Sequence, residues 1–167
     1  MELLVIRHAI AEDRDAWAQT GEPDEKRPLT DEGQKRMRRA ARGLQRIVKQ
    51  IDVLATSPLT RAVQTAEIVG RVYGDVAAVV TEELIPEREP SSLLEWLKRL
   101  DDVDTVAVVG HEPHLSGLVC WLLTRREESF LELKKGGAVL LEFAQDRAAG
   151  KAKLLWALTP KQLRRLA

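Results

Sequence analysis

Apolar positions along this chain alternate between two periods, and the alternation predicts the fold. Leu3-Leu4-Val5-Ile6 is a short unbroken apolar run, the mark of a strand covered on both faces, and it stops abruptly at Arg7-His8. Asp52-Val53-Leu54-Ala55-Thr56, Val76 to Val80 and Thr105 to Val109 read as further strands, the last ending in Gly110-His111. Between these runs the spacing becomes helical. Thr30 is a good N-cap, with Asp31 and Glu32 in the turn where the helix dipole favours acids. Met37, Ala40, Ala41, Leu44, Ile47, Val48 and Ile51 then follow on one face. Ser57-Pro58 reads as an N-cap with proline at the first helical position, opening a helix with Ala62, Ala66, Val69 and Tyr73 inward. Ser91 to Leu100 is a third helix, with Leu93, Leu94, Trp96, Leu97 and Leu100 inward, and Pro113 to Leu123 a fourth. Ala138 to Phe143 and Lys153 to Ala157 are strands, and Pro160 opens a short, solvated final helix.

Strands alternating with helices imply βαβ units: an α/β fold with a mainly parallel sheet and helices on both faces. No repeat, linker or low-complexity stretch interrupts the pattern, so residues 1–167 read as one domain. Ile10 to about Pro28 has no clean period and carries Gly21, Pro23 and Pro28. It reads as a long connection, and loops longer than about 12–15 residues are usually functional or disordered. Trp17 within it either packs the loop onto the domain or meets a partner.

Charge narrows the partners. Lys+Arg and Asp+Glu both count 26, so the net charge is zero and no global pull towards nucleic acid or anionic membrane exists. Lys35, Arg36, Arg38, Arg39 and Arg42 are read as the solvated surround of an apolar helix stripe, not as a nucleic-acid patch. An anion site must therefore be a local cluster. The lone Cys120 lies in the apolar run from Leu118 to Leu123 and reads as a buried, inert thiol. The N-terminal residues lack a signal-peptide pattern, and no apolar run approaches the ~20 residues that span a bilayer. The expectation is a cytoplasmic protein without a membrane segment.

Open α/β sheets place ligands just beyond the carboxyl ends of their strands. Arg7-His8, Ser57 to Arg61 and Gly110-His111 all fall there, so the topology brings two arginines and two histidines towards one rim. Arg61 is expected just past the first turn of its helix, near the end whose free N–H groups favour anions. Guanidiniums grip phosphate oxygens in a fork. His8 can be a nucleophile only while one ring nitrogen keeps its lone pair, the other holding its proton on an acceptor such as a backbone carbonyl. Neighbouring arginines keep the ring neutral and stabilise the transferring phosphoryl.

These residues resemble the histidine phosphatase superfamily, also called the phosphoglycerate mutase-like fold. Arg7-His8-Ala9 is similar to its Arg-His-Gly signature, Ser57 to Ala66 to its second arginine motif, and Val108-Val109-Gly110-His111 to its second histidine. Arg27-Pro28-Leu29-Thr30, ending at Gly33, looks like the compact branch typified by SixA, the phosphohistidine phosphatase. The resemblance implies a three-layer α/β/α fold with His8 as the nucleophile that becomes phosphorylated. Arg7, Arg61 and His111 would bind the phosphoryl oxygens, and Arg27 would add to the pocket. No metal or cofactor is implied.

Two departures stand out. Ala9 replaces the usual glycine, which is tolerable if the backbone there has negative φ. Larger members carry a catalytic acid in a segment that here reads Leu84-Ile85-Pro86, leaving Asp24, Glu83 and Glu87 as candidate acids. An alkoxide leaving group gains typically about 10²–10⁴-fold from a general acid, whereas a phosphohistidine's imidazole leaves more easily. The expected substrate is therefore a phosphorylated protein such as a histidine phosphotransfer domain. Three alternatives remain: a phosphatase or mutase for a small phosphate ester, a metal-binding protein using His111, Glu112 and His114, and an inactive phosphate-binding module.

Overall fold

Residues 1–126 and 128–167 are described by a computed structural model of the chain. The described residues form six strands and six α-helices. In chain order these are β1 (Glu2–Arg7), α1 (Arg14–Ala18), α2 (Asp31–Ile47), β2 (Val53–Thr56), α3 (Thr60–Val72), β3 (Ala78–Val80), α4 (Pro90–Lys98), β4 (Thr105–Gly110), α5 (His114–Thr124), β5 (Ala138–Phe143), β6 (Ala152–Leu158) and α6 (Pro160–Leu166). The strands form one sheet in the order β3-β2-β4-β1-β5-β6. The first four in that order run parallel, while β5 and β6 are added antiparallel. The mainly parallel α/β/α sandwich expected from the pattern is what the chain adopts.

Strand geometry explains why unbroken apolar runs were needed. Successive side chains of a strand point to opposite faces. Leu4 and Ile6 enter the core beneath α2, α3 and α6, together with Ala40, Leu44, Ala66 and Leu163. Leu3 and Val5 enter the other core, against Leu93 and Leu97 of α4 and Leu115, Leu118 and Leu122 of α5. None of the described helices is long and apolar enough to cross a membrane. Cys120 is buried and free, as its apolar setting predicted.

Register positions the site. Arg7 of β1 lies opposite Gly110 of β4, and the His8 N–H donates to the Gly110 carbonyl at 3.0 Å. Thr56 of β2 lies opposite Val109, and the Ser57 N–H donates to the Val109 carbonyl at 3.1 Å. Three chain segments therefore leave the sheet side by side, at His8, Ser57 and His111.

Several boundaries differ from the sequence reading. The helix α3 begins at Thr60, with Leu59 as N-cap and no side-chain cap bond, so Ser57 does not cap it. The Ser57 hydroxyl is engaged by a histidine instead, described below. The helix α2 ends at Ile47, and Val48 is already extended. Val48 and Ile51 still reach the core from the following connection, whereas Ile47 is left 40% exposed. Residues 10–28 are folded. Ala11 and Leu29 form an antiparallel bridge, Asp13 caps α1, and Asp24–Lys26 make a single 3-10 turn. Trp17 donates from Nε1 to the Pro23 carbonyl at 3.1 Å and so packs the segment on itself.

Candidate active site

At the carboxyl edge of the sheet lies a cleft of about 800 Å³, and Arg7, His8, Arg27, Arg61 and His111 all line it. The convergence expected from topology is therefore present. His8 is 6% exposed, and its Nδ1–H donates to the Ala9 carbonyl at 2.7 Å. A carbonyl can only accept, so Nδ1 holds the proton and Nε2 keeps its lone pair. Burial pushes the His8 pKa down to about 3. The bond to Ala9 opposes this, while the charges of Arg61, Arg7 and Lys135 add to it. Ala9 is absent from the positive-φ residues of the described chain, so its methyl group carries no backbone strain. Its N–H donates to Thr65 Oγ1 at 3.0 Å, and the Thr65 hydroxyl donates to the Arg61 carbonyl at 2.7 Å. The first motif is thereby bound to α3.

His111 is 2% exposed, its ring centroid 5.1 Å from that of His8. Its Nε2 and Ser57 Oγ are 2.9 Å apart and share a hydrogen bond. Burial, then the neighbouring His8, Arg61 and His114, lower its pKa to about 2, against the opposing charge of Asp24. Both rings are neutral at physiological pH.

Each arginine is anchored. Arg7 Nη1 donates to the Leu133 carbonyl at 2.6 Å. Arg61 lies in the first turn of α3, closer to the helix end than the sequence suggested. Its Nη1 donates to the Asp24 carbonyl at 2.9 Å, and its Nη2 lies 3.1 Å from Asp24 Oδ2. Arg27 donates from Nε to Asp24 Oδ1 at 2.8 Å and from Nη1 to the Glu12 carbonyl at 2.7 Å. One carboxylate thus ties two guanidiniums. Partial burial works upward on the Asp24 pKa, but the bond from Arg27 and the charges of Arg61, Arg27 and Arg14 hold it below its ordinary value.

Of the other candidate acids, Glu87 lies on the rim beside Ile85 and Pro86, while Glu83 is outside the cleft lining. The residues weighed as metal ligands do not converge. His111 bonds Ser57, Glu112 accepts from the Ser116 hydroxyl, and both ring nitrogens of His114 are buried without a partner. Among the described residues, no group of three or more His, Cys, Asp or Glu side chains could hold a metal ion.

Sequence reasoning missed Lys135 and Glu112 as parts of the cleft wall. For Lys135 a signal existed in Lys134-Lys135-Gly136-Gly137, just before β5. Gly136 adopts φ 77°, and its N–H donates to the Arg7 and His8 carbonyls at 3.1 Å. That turn places Lys135 in the cleft wall with His8. Burial raises the Glu112 pKa, against the bond from Ser116 and the charge of Arg7.

Fold and cleft are those of an α/β protein with arginines and histidines gathered at the carboxyl edge of its sheet. The chain belongs to the histidine phosphatase superfamily (branch 1), whose sequence profile matches residues 3–91. An uncharacterised protein of Picosynechococcus sp. is 34% identical over 141 residues, covering 83% of each chain. The structure of the protein histidine phosphatase SixA complexed with tungstate superposes with a TM-score of 0.83 at 27% identity, covering 98% of this chain and 99% of that one. A SixA structure from Agrobacterium tumefaciens shares the fold at 21% identity, with a TM-score of 0.77 over 95% of this chain and 97% of the other.

Proposed function

We propose that this phosphatase removes the phosphoryl group of a protein phosphohistidine by way of a phosphohistidine intermediate on His8. One observation carries the reading. Arg7, Arg27, Arg61 and His111 line the same cleft as His8, whose Nε2 keeps its lone pair. Three guanidiniums and a second imidazole around that nitrogen suit an anionic, acceptor-rich ligand. A phosphoryl group has that shape and charge. Nε2 attacks phosphorus in line while the arginines and His111 stabilise the charge spreading over the phosphoryl oxygens. The substrate's imidazole departs with a proton on its other ring nitrogen, and water then takes the phosphoryl group from His8.

The surroundings suit a leaving group that needs little help. The segment Leu84-Ile85-Pro86, which resembles the place where larger relatives carry an acid, has none, and Glu87 beside it is exposed. Asp24, held ionised, fits the role of tethering Arg27 and Arg61 better than that of proton donor. Steady-state rates on a phosphohistidine-bearing protein domain and on a panel of sugar phosphates test the substrate class. We expect the domain to be turned over with kcat/KM at least about 100-fold higher, a difference of roughly 2.7 kcal/mol in transition-state binding. A sugar phosphate matching or exceeding it would overturn the assignment.

A further inference from the structure

We infer that Ser57 is a positioning residue that fixes His111 in its Nδ1–H tautomer, so that this N–H donates to the phosphoryl oxygen. The tautomer follows from hydrogen bonding alone, and only its use as a donor to phosphoryl oxygen rests on the proposed phosphatase function. Ser57 is fully buried, and its Oγ lies 2.9 Å from His111 Nε2. Two arrangements of the shared proton satisfy that distance.

In the first, His111 Nε2–H donates and Ser57 Oγ accepts. The Ser57 hydroxyl proton then has no acceptor among the described residues, and the Nδ1 lone pair is buried without a donor. Two polar groups are left unsatisfied, and each is costly in the interior. In the second, the Ser57 hydroxyl donates to Nε2 while its oxygen faces the Leu59 N–H at 3.4 Å. Only Nδ1–H then lacks a partner among the described residues, and His111 lines the cleft together with Arg7, Arg61 and His8. A donor completes an oxyanion cradle there; a lone pair would repel the same anion. Burial, which keeps His111 neutral, is what makes the tautomer matter, since an imidazolium would donate from both nitrogens.

Nitrogen NMR of isotopically labelled histidine in the phosphate-free enzyme tests the inference without any substrate. Wild type is expected to show His111 protonated at Nδ1, and Ser57→Ala to show a mixture of both tautomers. Ser57→Thr, which keeps the hydroxyl, is expected to stay with Nδ1–H. Kinetically, loss of part of one oxyanion donor in Ser57→Ala should lower kcat about 10-fold, with KM changed less than about twofold, and weaken orthovanadate inhibition about 10-fold. A wild-type His111 protonated at Nε2, or a tautomer unchanged in Ser57→Ala, would overturn the assignment. If His8 proved never to carry phosphate, the phosphatase reading would fail while the tautomer assignment stood.

Discussion

At the scale of single residues, the site depends on two imidazoles that the fold keeps unprotonated. His8 and His111 have folded pKa values of about 3 and about 2, against an ordinary value of 6.5. The unfolded chain therefore binds more protons than the folded one once pH falls below 6.5, and stability drops in that direction. Each ring contributes up to about 1.4 kcal/mol per pH unit between 6.5 and its folded pKa. Urea midpoints measured from pH 7.5 to 5 should fall steadily, and His111→Gln should flatten the slope. A midpoint independent of pH over that range would contradict the burial of both rings in neutral form. The residues at strand ends were readable because strand periodicity and sheet topology fix where such positions converge. Lys135 left only the local signal of Lys134-Lys135-Gly136-Gly137, because it reaches the cleft through the positive-φ turn at Gly136. Asp24 was noticed, but as a candidate acid. Its tie to Arg27 spans only three residues, but its tie to Arg61 spans 37, and no local pattern encodes that one.

At the scale of elements, the segment between β1 and α2 is what converts a strand edge into a pocket. Its aperiodic sequence gave no sign of α1, the 3-10 turn or the Ala11–Leu29 bridge, each of which is too short to show a period. Gly33, near the start of α2, lets that helix press against the Ile10 backbone, since a Cβ there would run into the Ile10 carbonyl. The Thr30 cap, in contrast, was legible because its hydroxyl accepts from the Gly33 N–H at 2.9 Å through purely local geometry. The 3-10 turn carries Asp24 onto the guanidiniums of Arg27 and Arg61. Asp24→Asn removes the charge that holds both, so kcat/KM should fall by roughly 10-fold, with inorganic phosphate inhibiting more weakly. A variant as active as wild type would show that the arginines hold their positions without it.

At the scale of the whole molecule, two apolar cores on opposite faces of the sheet hold β1, β2 and β4 in register, and that register sets the separation of the segments carrying His8, Ser57 and His111. The net charge is zero, and the exposed basic residues Lys35, Arg36, Arg38, Arg39 and Arg42 of α2 are not part of the cleft lining. The antiparallel addition of β5 and β6 was beyond the sequence pattern, which fixes strands but not their direction. It matters here because the turn entering β5 delivers Lys135. His111 is bonded to Ser57 and Glu112 to Ser116, and no group of three or more His, Cys, Asp or Glu among the described residues could hold a metal ion. Turnover should therefore persist unchanged after exhaustive treatment with a chelator, and its loss with restoration by a divalent cation would contradict that.

The central claim is that His8 attacks phosphorus. Mass spectrometry of enzyme quenched during turnover of a phosphodonor addresses it most directly, using wild type and His8→Ala side by side. A phosphorylated peptide containing His8 in wild type, with peptide and turnover both lost in the variant, is the predicted result. Turnover retained by His8→Ala, or phosphate found on a different residue, would contradict it.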